Sequence, residues 1–279
     1  MPDVLKAVIL GIVQGLTEFL PVSSTGHLIL TEEALGVSES EFGLRFDAAL
    51  HLGTLAAVLI YFHTLIAGLV TAWLDSVRRR NWSVTKESRL AWLLIIGTIP
   101  AGIAGYFLES TAEDAFRSPA LVGVTLILFC IPMVLAERYG RGNRALDSAT
   151  PVDAVVVGVA QSIALVPGVS RSGITISAGM LRGFRREEAA VFAFLLSAPV
   201  IAAAGGKQLF DIITGDNGSS DLENEFLVYA AGLLTAAVVG YAAIYFLVRY
   251  LRYNPLYLFV VYRIALGLLV LALAAAGVV

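Results

Sequence analysis

The sequence predicts an all-α integral membrane protein made of two inverted-topology repeats, each a re-entrant helical hairpin plus three transmembrane helices. Three observations support this fold class: the composition, an internal repeat, and the distribution of lysine and arginine. Of the 279 residues, 58% are hydrophobic and only 15% are charged, whereas a soluble domain carries about 25% charged residues. The apolar residues form long runs, as bilayer-spanning helices require, so the composition indicates a membrane protein.

The second observation is a gap-free internal repeat. Residues 7–28 read AVILGIVQGLTEFLPVSSTGHL, and residues 154–175 read AVVVGVAQSIALVPGVSRSGIT. Each copy starts as an apolar segment, breaks at Pro21 or Pro167, and restarts after serine and glycine. Interrupted hydrophobic segments at corresponding places in two halves of a membrane protein point to its binding site.

The first repeat is predicted to cover residues 1–148. Its apolar residues 4–20 are short of the roughly 20 residues that cross a bilayer, and Pro21 ends them. Residues 1–28 are therefore interpreted as a re-entrant hairpin of two short helices. Acidic loops are predicted at residues 29–45 and 109–117. The three spans are predicted at about residues 46–74, 90–108 (with Pro100 as a kink) and 118–136.

The second repeat is predicted to cover residues 149–279 with the same order of elements. Its re-entrant hairpin is assigned to residues 152–181, where the repeated motif lies. A basic turn at residues 182–188 and a Gly/Ser-rich acidic loop at residues 207–225 separate the elements that follow. The three spans are predicted at about residues 189–206, 226–248 and 255–279.

The third observation gives the orientation of the chain. Thirteen lysines and arginines lie in four turns, and four lie in the N-terminus and the remaining loops. Since cytoplasmic loops carry an excess of these residues, the four turns rich in lysine and arginine are predicted to face the cytoplasm. With this assignment, successive spans cross the membrane in alternating directions, and corresponding spans of the two halves cross it in opposite directions. The four turns are residues 75–89, 137–153, 182–188 and 249–252.

The composition also argues against several classes of protein. No basic stripe with interleaved aromatic residues occurs, so no nucleic-acid partner is expected. A single cysteine, Cys130, excludes an internal disulfide. The N-terminus, Met-Pro-Asp, lacks the basic region of a secretory signal, so no cleaved peptide is expected. The bilayer is the expected surrounding, and the oligomeric state stays open.

Polar residues cluster at the two predicted breaks. Polar side chains at membrane depth are costly and therefore point to function. Gln14 and Glu18 are four residues apart and share one helix face, and Ser24 and His27 follow the first break. The second copy has Arg171 at the position equivalent to Ser24. Because equivalent residues of two repeats meet near a pseudo-two-fold axis, we expect the two breaks to face each other at mid-depth.

The residue types at the breaks favour phosphate chemistry. Arg171 is a planar cation suited to phosphate oxygens, and it lies where a new helix starts, a place that favours anions. Ser24 is the best candidate nucleophile, with His27 beside it as base. Glu18 is a candidate to orient His27, to act as an acid or base, or to hold a divalent cation. Nine further residues are expected to contact the substrate: Gln14, Ser23, Thr25, Gly26, Gly168, Ser170, Ser172, Gly173 and Thr175.

The motifs QGLTEFLPVSSTGH (residues 14–27) and PGVSRSGIT (residues 167–175) resemble the two signature motifs of the undecaprenyl-pyrophosphate phosphatase family, of the bacitracin-resistance type. The resemblance extends to FDAALHLGTL (residues 46–55) and to the Tyr262-Arg263 pair. It implies an enzyme that converts a C55 polyprenyl diphosphate to the monophosphate lipid carrier at the outer face of the plasma membrane. It also implies two inverted repeats and a requirement for Mg²⁺ or Ca²⁺.

The resemblance also implies roles for single residues. The family's acidic motif falls on Gln14 and Glu18, and its arginine falls on Arg171. Its serine and histidine fall on Ser24 and His27. Many members have glutamate where this chain has Gln14, so a metal held by a carboxylate pair is put in doubt. Glu18, together with lipid phosphate and water, remains a candidate ligand for the cation.

Two other functions remain open from the sequence. Inverted repeats with broken helices are typical of transporters, so a polyprenyl-phosphate transporter or flippase with the same binding site is the main alternative. A phosphatidic-acid-phosphatase-type enzyme is suggested by TGH at residues 25–27 and SR at residues 170–171. In that family a histidine follows the SR after five residues, and here the position is Ser177. The choice between Ser24, His27 and water as nucleophile, the isoprenoid length, and transport of the product stay open.

Overall fold

The computed structural model describes residues 3–37, 44–115, 118–214 and 222–276. Within these ranges the chain forms twelve α-helices, one 3-10 turn (Leu146–Ser148) and an isolated bridge between Arg144 and Phe184, with no β-strand. The helices are α1 (Asp3–Phe19), α2 (Ser24–Leu35), α3 (Leu44–Tyr61), α4 (His63–Arg78), α5 (Lys86–Ala115), α6 (Pro119–Leu128), α7 (Cys130–Tyr139), α8 (Pro151–Ile163), α9 (Arg171–Leu181), α10 (Arg186–Thr214), α11 (Leu222–Leu251) and α12 (Tyr257–Ala275).

The structure confirms an all-helical membrane protein. Among the described residues, five segments are long and apolar enough to cross a bilayer, and the bent pair α3–α4 makes a sixth if it counts as one span. Each of the six overlaps a span predicted from the sequence. The five are Lys86–Phe107, Pro119–Tyr139, Arg186–Gly206, Phe226–Leu251 and Tyr257–Ala275.

The segment predicted as one long span at residues 46–74 forms two helices, which make one span only if the bent pair is counted together. α3 ends at Tyr61, α4 begins at His63, and the two helices are bent by 81°. The break contains neither proline nor glycine. Phe62 is buried at the bend and packs edge-to-face against Tyr61, and the His63 ring donates from Nδ1 to the Ile60 carbonyl at 2.9 Å. These contacts stabilise a bend that the apolar pattern alone does not reveal.

The span predicted at residues 118–136 is also interrupted, at Phe129 between α6 and α7. Proline removes a backbone donor and clashes with the carbonyl four residues earlier. Pro132 therefore disturbs the helix at Leu128, where α6 ends. The interruption lies close to the Thr125 and Leu126 carbonyls, which accept hydrogen bonds from Arg263 of the last helix, α12.

Helices extend into residues that were expected to form loops. α2 continues to Leu35 and ends at Gly36, whose left-handed backbone (φ 59°) forms the cap. α5 runs to Ala115, and α10 runs to Thr214. Good helix formers such as Ala, Leu and Glu extend a helix beyond its apolar part, and a hydropathy pattern does not register this. Parts of three predicted loops are helical: 29–45, 109–117 and 207–225.

The repeated helices α1 and α8 each pack through glycine against a long helix from the other half of the sequence. α1 packs on α11, where a Cβ added to Gly11 would meet the Gly232 carbonyl at 2.7 Å. α8 packs on α5, where a Cβ added to Gly158 would clash with the backbone of Gly97. Gly11 and Gly158 are equivalent positions of the internal repeat. Because small residues let helix backbones approach closely in membranes, both copies pack by the same means.

α9 lies at the centre of the fold. Nine of its eleven residues are buried, and it packs on α7, α8 and α10. Its N-terminus, which carries Arg171, lies against the break between α1 and α2. The packing of α9 therefore positions the polar residues of the second break against those of the first.

Candidate active site

Two serines with the same unusual backbone conformation begin the helices that follow the breaks. Ser23 (φ 77°, ψ 100°) caps α2, and Ser170 (φ 73°, ψ 108°) caps α9. Each serine Oγ accepts a hydrogen bond from the N–H three residues later, at Gly26 (3.4 Å) and at Gly173 (3.2 Å). Positive φ at a non-glycine residue costs of order 1–3 kcal/mol and is concentrated at functional sites. The shared strain points to a function at these two turns.

The two turns lie against each other. Ser172, at the start of α9, donates from Oγ to the Leu20 carbonyl at 3.0 Å. A Cβ added to Gly173 would lie 3.5 Å from Cβ of Pro21. The structure thus brings together two breaks that are far apart in the sequence.

Arg263 on α12 holds both turns. The residue is fully buried, with 0% of its surface exposed. Its guanidinium donates to the Pro21 carbonyl of the first break (3.4 Å) and to the Gly168 carbonyl of the second (2.9 Å). It also donates to the Leu126 and Thr125 carbonyls of α6 at 3.1 and 3.4 Å. Since arginine offers five N–H donors in a rigid plane, one side chain ties both turns to α6.

Glu18, near the C-terminus of α1, is the centre of a buried polar cluster. Its side chain is 4% exposed. Its Oε2 accepts hydrogen bonds from Ser24 Oγ at 2.8 Å and from Gln14 Nε2 at 3.1 Å. The contact with Gln14 follows from the four-residue spacing on one helix face. A hydroxyl that donates to a carboxylate is arranged to give up its proton when it attacks.

Arg171 and His51 approach the same carboxylate from two other helices. Arg171 Nη1 lies 3.6 Å from Glu18 Oε1, and His51 Nε2 lies 3.8 Å from Glu18 Oε2. Arg171 Nη1 is buried and makes no hydrogen bond within the described chain, because 3.6 Å is too long for one. An unsatisfied buried donor is costly. Its N–H groups therefore mark a place where an anion would bind favourably.

His27 on α2 forms its side-chain hydrogen bonds with Ser23 and with Tyr262 on α12, and not with Ser24. Its Nδ1 donates to the Ser23 carbonyl at 2.7 Å, and its Nε2 lies 2.6 Å from the Tyr262 hydroxyl. The expected pairing of Ser24 with His27, and of Glu18 with His27, is therefore absent. The bond to Ser23 one turn earlier directs the imidazole toward Tyr262, and the group bonded to Ser24 is Glu18.

The other residues expected to contact the substrate line the two turns. Four of them form the caps: Ser23, Gly26, Ser170 and Gly173. Thr25 is exposed next to Ser24. Gly168 has φ 86°, and a Cβ there would clash with the Thr125 hydroxyl. Ser172 and Thr175 donate their hydroxyls to backbone carbonyls, so they stabilise the turns.

Three residues that the structure brings to the site were noticed in the resembling segments but not assigned to the site from the sequence: His51, Tyr262 and Arg263. Polar residues in apolar helices are a signal of function, and all three carry that signal. A single sequence, however, does not connect Tyr262 with His27, which lies 235 residues away. These contacts depend on how α3 and α12 pack against the hairpins.

The fold and the site together define a class of protein. A multi-pass helical membrane protein brings together two helix N-termini, a hydroxyl bonded to a buried carboxylate, and an arginine with an unused donor. Helix N-termini and arginine both favour phosphate. The arrangement is that of a membrane protein that acts on a phosphorylated lipid.

Comparison with known proteins identifies the family. The family described as "Bacitracin resistance protein BacA" matches residues 7–269. The chain is 46% identical over 273 residues to the undecaprenyl-diphosphatase of Rubrobacter xylanophilus, which covers 98% of this chain and 99% of that protein. It is 46% identical over 269 residues to the undecaprenyl-diphosphatase of Moorella thermoacetica (96% and 97%) and 43% identical over 270 residues to that of Desulforudis audaxviator (96% and 97%). The chain therefore belongs to the BacA family.

Proposed function

We propose that this chain is an undecaprenyl-diphosphate phosphatase, which hydrolyses the phosphoanhydride bond and leaves the monophosphate lipid carrier for cell-wall glycan synthesis. The family and the names of the relatives support this activity. One observation connects it to particular residues: Ser24 donates to Glu18 at 2.8 Å, beside the unused Nη1 donor of Arg171. A nucleophile and an anion-binding group thus lie beside one carboxylate, which is the base toward that nucleophile.

Binding of the diphosphate uses Arg171 and the helix starts. The two helix starts lie against each other, and in this proposal their N-terminal N–H groups and the Arg171 guanidinium neutralise the phosphoryl oxygens. Phosphoryl transfer needs mainly positioning and neutralisation of charge on these oxygens. Groups already fixed in place by the fold supply this without reorganisation.

The first chemical step is attack by Ser24 on the terminal phosphorus. The Oγ–H proton passes to Glu18 Oε2, to which it already donates. The bond from phosphorus to the bridging oxygen breaks, its electron pair stays on that oxygen, and the lipid leaves as the monophosphate. The terminal phosphoryl group is then carried on Ser24.

The second step returns the enzyme to its starting state. Water attacks the phosphoserine, with His27 as the base that receives the water proton. The bond from phosphorus to Ser24 Oγ breaks, and Oγ recovers the proton that Glu18 holds. Inorganic phosphate leaves, and the proton on His27 returns to solvent.

A divalent cation, Mg²⁺ or Ca²⁺, is the proposed cofactor. Among the described residues, no group of three or more His, Cys, Asp or Glu side chains is placed to hold it. Glu18 offers a carboxylate, and the buried Gln14 Oε1 has no hydrogen-bond partner in the described chain. Mg²⁺ commonly binds through one or two carboxylates together with substrate phosphates and water, so these oxygens fit a cation that arrives with the diphosphate. When bound, it supplies further neutralisation of phosphoryl charge.

The proposed topology is two inverted repeats whose hairpins, α1–α2 and α8–α9, re-enter the membrane. Three observations support it: the matching backbone of Ser23 and Ser170, the packing of each hairpin on a long helix of the other half, and the lysine and arginine distribution. A site that opens toward the outer face of the plasma membrane is part of the same proposal, and the lysine and arginine distribution supports it.

Ser24→Ala is expected to lower kcat by about 10³-fold or more, because the variant lacks the nucleophile. Phosphate release by purified protein in detergent measures the rate, and acid quenching with a labelled substrate traps phosphoserine. Ser162→Ala is the matched control, since that hydroxyl donates to the Gly158 carbonyl away from the cluster, and it is expected to keep wild-type activity. Full activity of Ser24→Ala would assign the attack to His27 or to water.

The transporter alternative has less support. The relatives named above carry the name of a phosphatase. A hydroxyl bonded to a buried carboxylate is also not needed for binding alone. Phosphate release from detergent-solubilised protein, where no gradient exists, separates hydrolysis from transport as the sole function.

A further inference from the structure

We propose that Tyr262 is a proton relay for His27: it donates to Nε2 of the imidazole and passes the proton between Nε2 and the attacking water. The inference rests on the proposed function, because it concerns the step in which water releases phosphate from Ser24. The observation behind it is the 2.6 Å distance between His27 Nε2 and the Tyr262 hydroxyl.

The tautomer of His27 follows from its two partners. A backbone carbonyl only accepts hydrogen bonds, so His27 Nδ1 carries the hydrogen that it donates to the Ser23 carbonyl at 2.7 Å. In a neutral imidazole the other nitrogen is then an acceptor. The Tyr262 hydroxyl therefore donates to Nε2, and the basic lone pair of His27 is reached through Tyr262.

The geometry suits transfer of a proton and not only packing. The two rings are nearly parallel, with an interplanar angle of 8° and centroids 5.7 Å apart. Tyr262 is 46% exposed, and the proposal requires that its oxygen face the water of the phosphate site while it donates to His27. The neighbouring Arg263 is fully buried and holds the turns, which fixes where this part of α12 places the phenol.

The relay consists of two coupled proton transfers. The attacking water gives one proton to the Tyr262 oxygen, and the Tyr262 hydroxyl proton moves to His27 Nε2. The water oxygen forms its bond to phosphorus, and the bond from phosphorus to Ser24 Oγ breaks with its electron pair on Oγ. Oγ takes the proton stored on Glu18. Tyr262 ends neutral, His27 ends as imidazolium, and the imidazolium later releases its extra proton to solvent by the reverse path.

The proposal makes a kinetic prediction that a merely structural role does not make. In a two-step mechanism, kcat/KM reports the steps up to release of the lipid monophosphate, whereas kcat also includes hydrolysis of phosphoserine. Tyr262→Phe keeps the ring and removes only the hydroxyl. It is expected to lower kcat by about 10- to 100-fold, within the range for general acid–base catalysis, and to leave kcat/KM within about 3-fold. A burst of lipid monophosphate and accumulated phosphoserine are expected to appear.

A double-mutant cycle tests whether Tyr262 acts through His27. His27→Asn keeps a side-chain donor for the Ser23 carbonyl and removes Nε2. If the relay exists, adding Tyr262→Phe to His27→Asn lowers kcat no further, because the path is already cut. Tyr253→Phe, an exposed tyrosine between α11 and α12, is the matched control and is expected to behave as wild type.

Three results would overturn the relay: wild-type kcat in Tyr262→Phe, an equal fall in kcat and kcat/KM, or additive losses in the double variant. Failure of the proposed function is distinguishable from these. In that case wild-type protein itself would release no phosphate from undecaprenyl diphosphate.

Discussion

Arg171→Ala is expected to lower phosphate release by about 10³-fold or more, the effect of removing an arginine that stabilises a phosphoryl transition state. Arg171 lies beside the Ser24–Glu18 pair, with Nη1 3.6 Å from Glu18 Oε1. Its buried Nη1 makes no hydrogen bond within the described chain, so that donor is free for the substrate. Initial rates with undecaprenyl diphosphate in detergent measure the effect.

Arg171→Lys separates charge from geometry. Lysine keeps the positive charge and lacks the planar fork that binds two phosphoryl oxygens at once. A loss of about 10²-fold is expected, the size of one transition-state donor. Arg141→Ala is the matched control, since Arg141 is exposed in the turn after α7 and is expected to be neutral. Activity of Arg171→Ala within tenfold of wild type, in protein with normal gel-filtration behaviour, would contradict the assigned role.

Arg263→Met is expected to reduce both stability and activity. The substitution keeps an apolar stem of similar length and leaves four buried carbonyls, including those of Pro21 and Gly168, without this donor. Unsatisfied buried groups are expensive, so we expect the free energy of unfolding to fall by about 2–5 kcal/mol. The two turns would also lose their common anchor, and a misplacement of about 1 Å costs about 10²-fold in rate.

Thermal unfolding in detergent, monitored by tryptophan fluorescence, measures the first effect, and phosphate release by the protein that remains folded measures the second. Arg263→Lys retains the charge and three donors and is expected to lie between wild type and Arg263→Met. Arg249→Met, on an exposed part of α11 where the arginine donates to Tyr245, is the matched control. If Arg263→Met unfolds at the wild-type temperature and keeps full activity, Arg263 does not hold the turns.

The internal repeat made much of the site predictable. It identified two breaks that would meet, and the structure brings them together through Ser172 and Leu20. The spacing of Gln14 and Glu18 also gave their contact correctly, because a helix fixes the relation between residues four apart.

The remaining contacts depend on packing between distant helices. The pairing of Ser24 with Glu18 instead of His27 is decided by the hydrogen bond of His27 to the Ser23 carbonyl. The partner of Ser24 can therefore be predicted only when the geometry of the turn is known. Tyr262 reaches His27 across 235 residues of sequence, and no local pattern reports such a contact.

The two breaks within predicted spans have different physical causes. The break at Phe129 had a signal in the sequence, because Pro132 disrupts the helix four residues earlier. The 81° bend at Phe62 had no such signal. The Phe62 ring is buried, which is a tertiary feature, and His63 makes a local hydrogen bond to Ile60. A helix propensity includes neither.

The most direct test of the central claim is phosphate release from undecaprenyl diphosphate by purified wild-type protein and by Glu18→Gln, with and without Mg²⁺ or Ca²⁺. The substitution preserves the size of the side chain and removes the carboxylate that accepts the Ser24 proton. The proposed mechanism predicts catalytic release by wild type and a loss of about 10³-fold in Glu18→Gln, on the scale of removing a member of a catalytic group. No release by wild type under any condition, or equal rates for the two proteins, would contradict it.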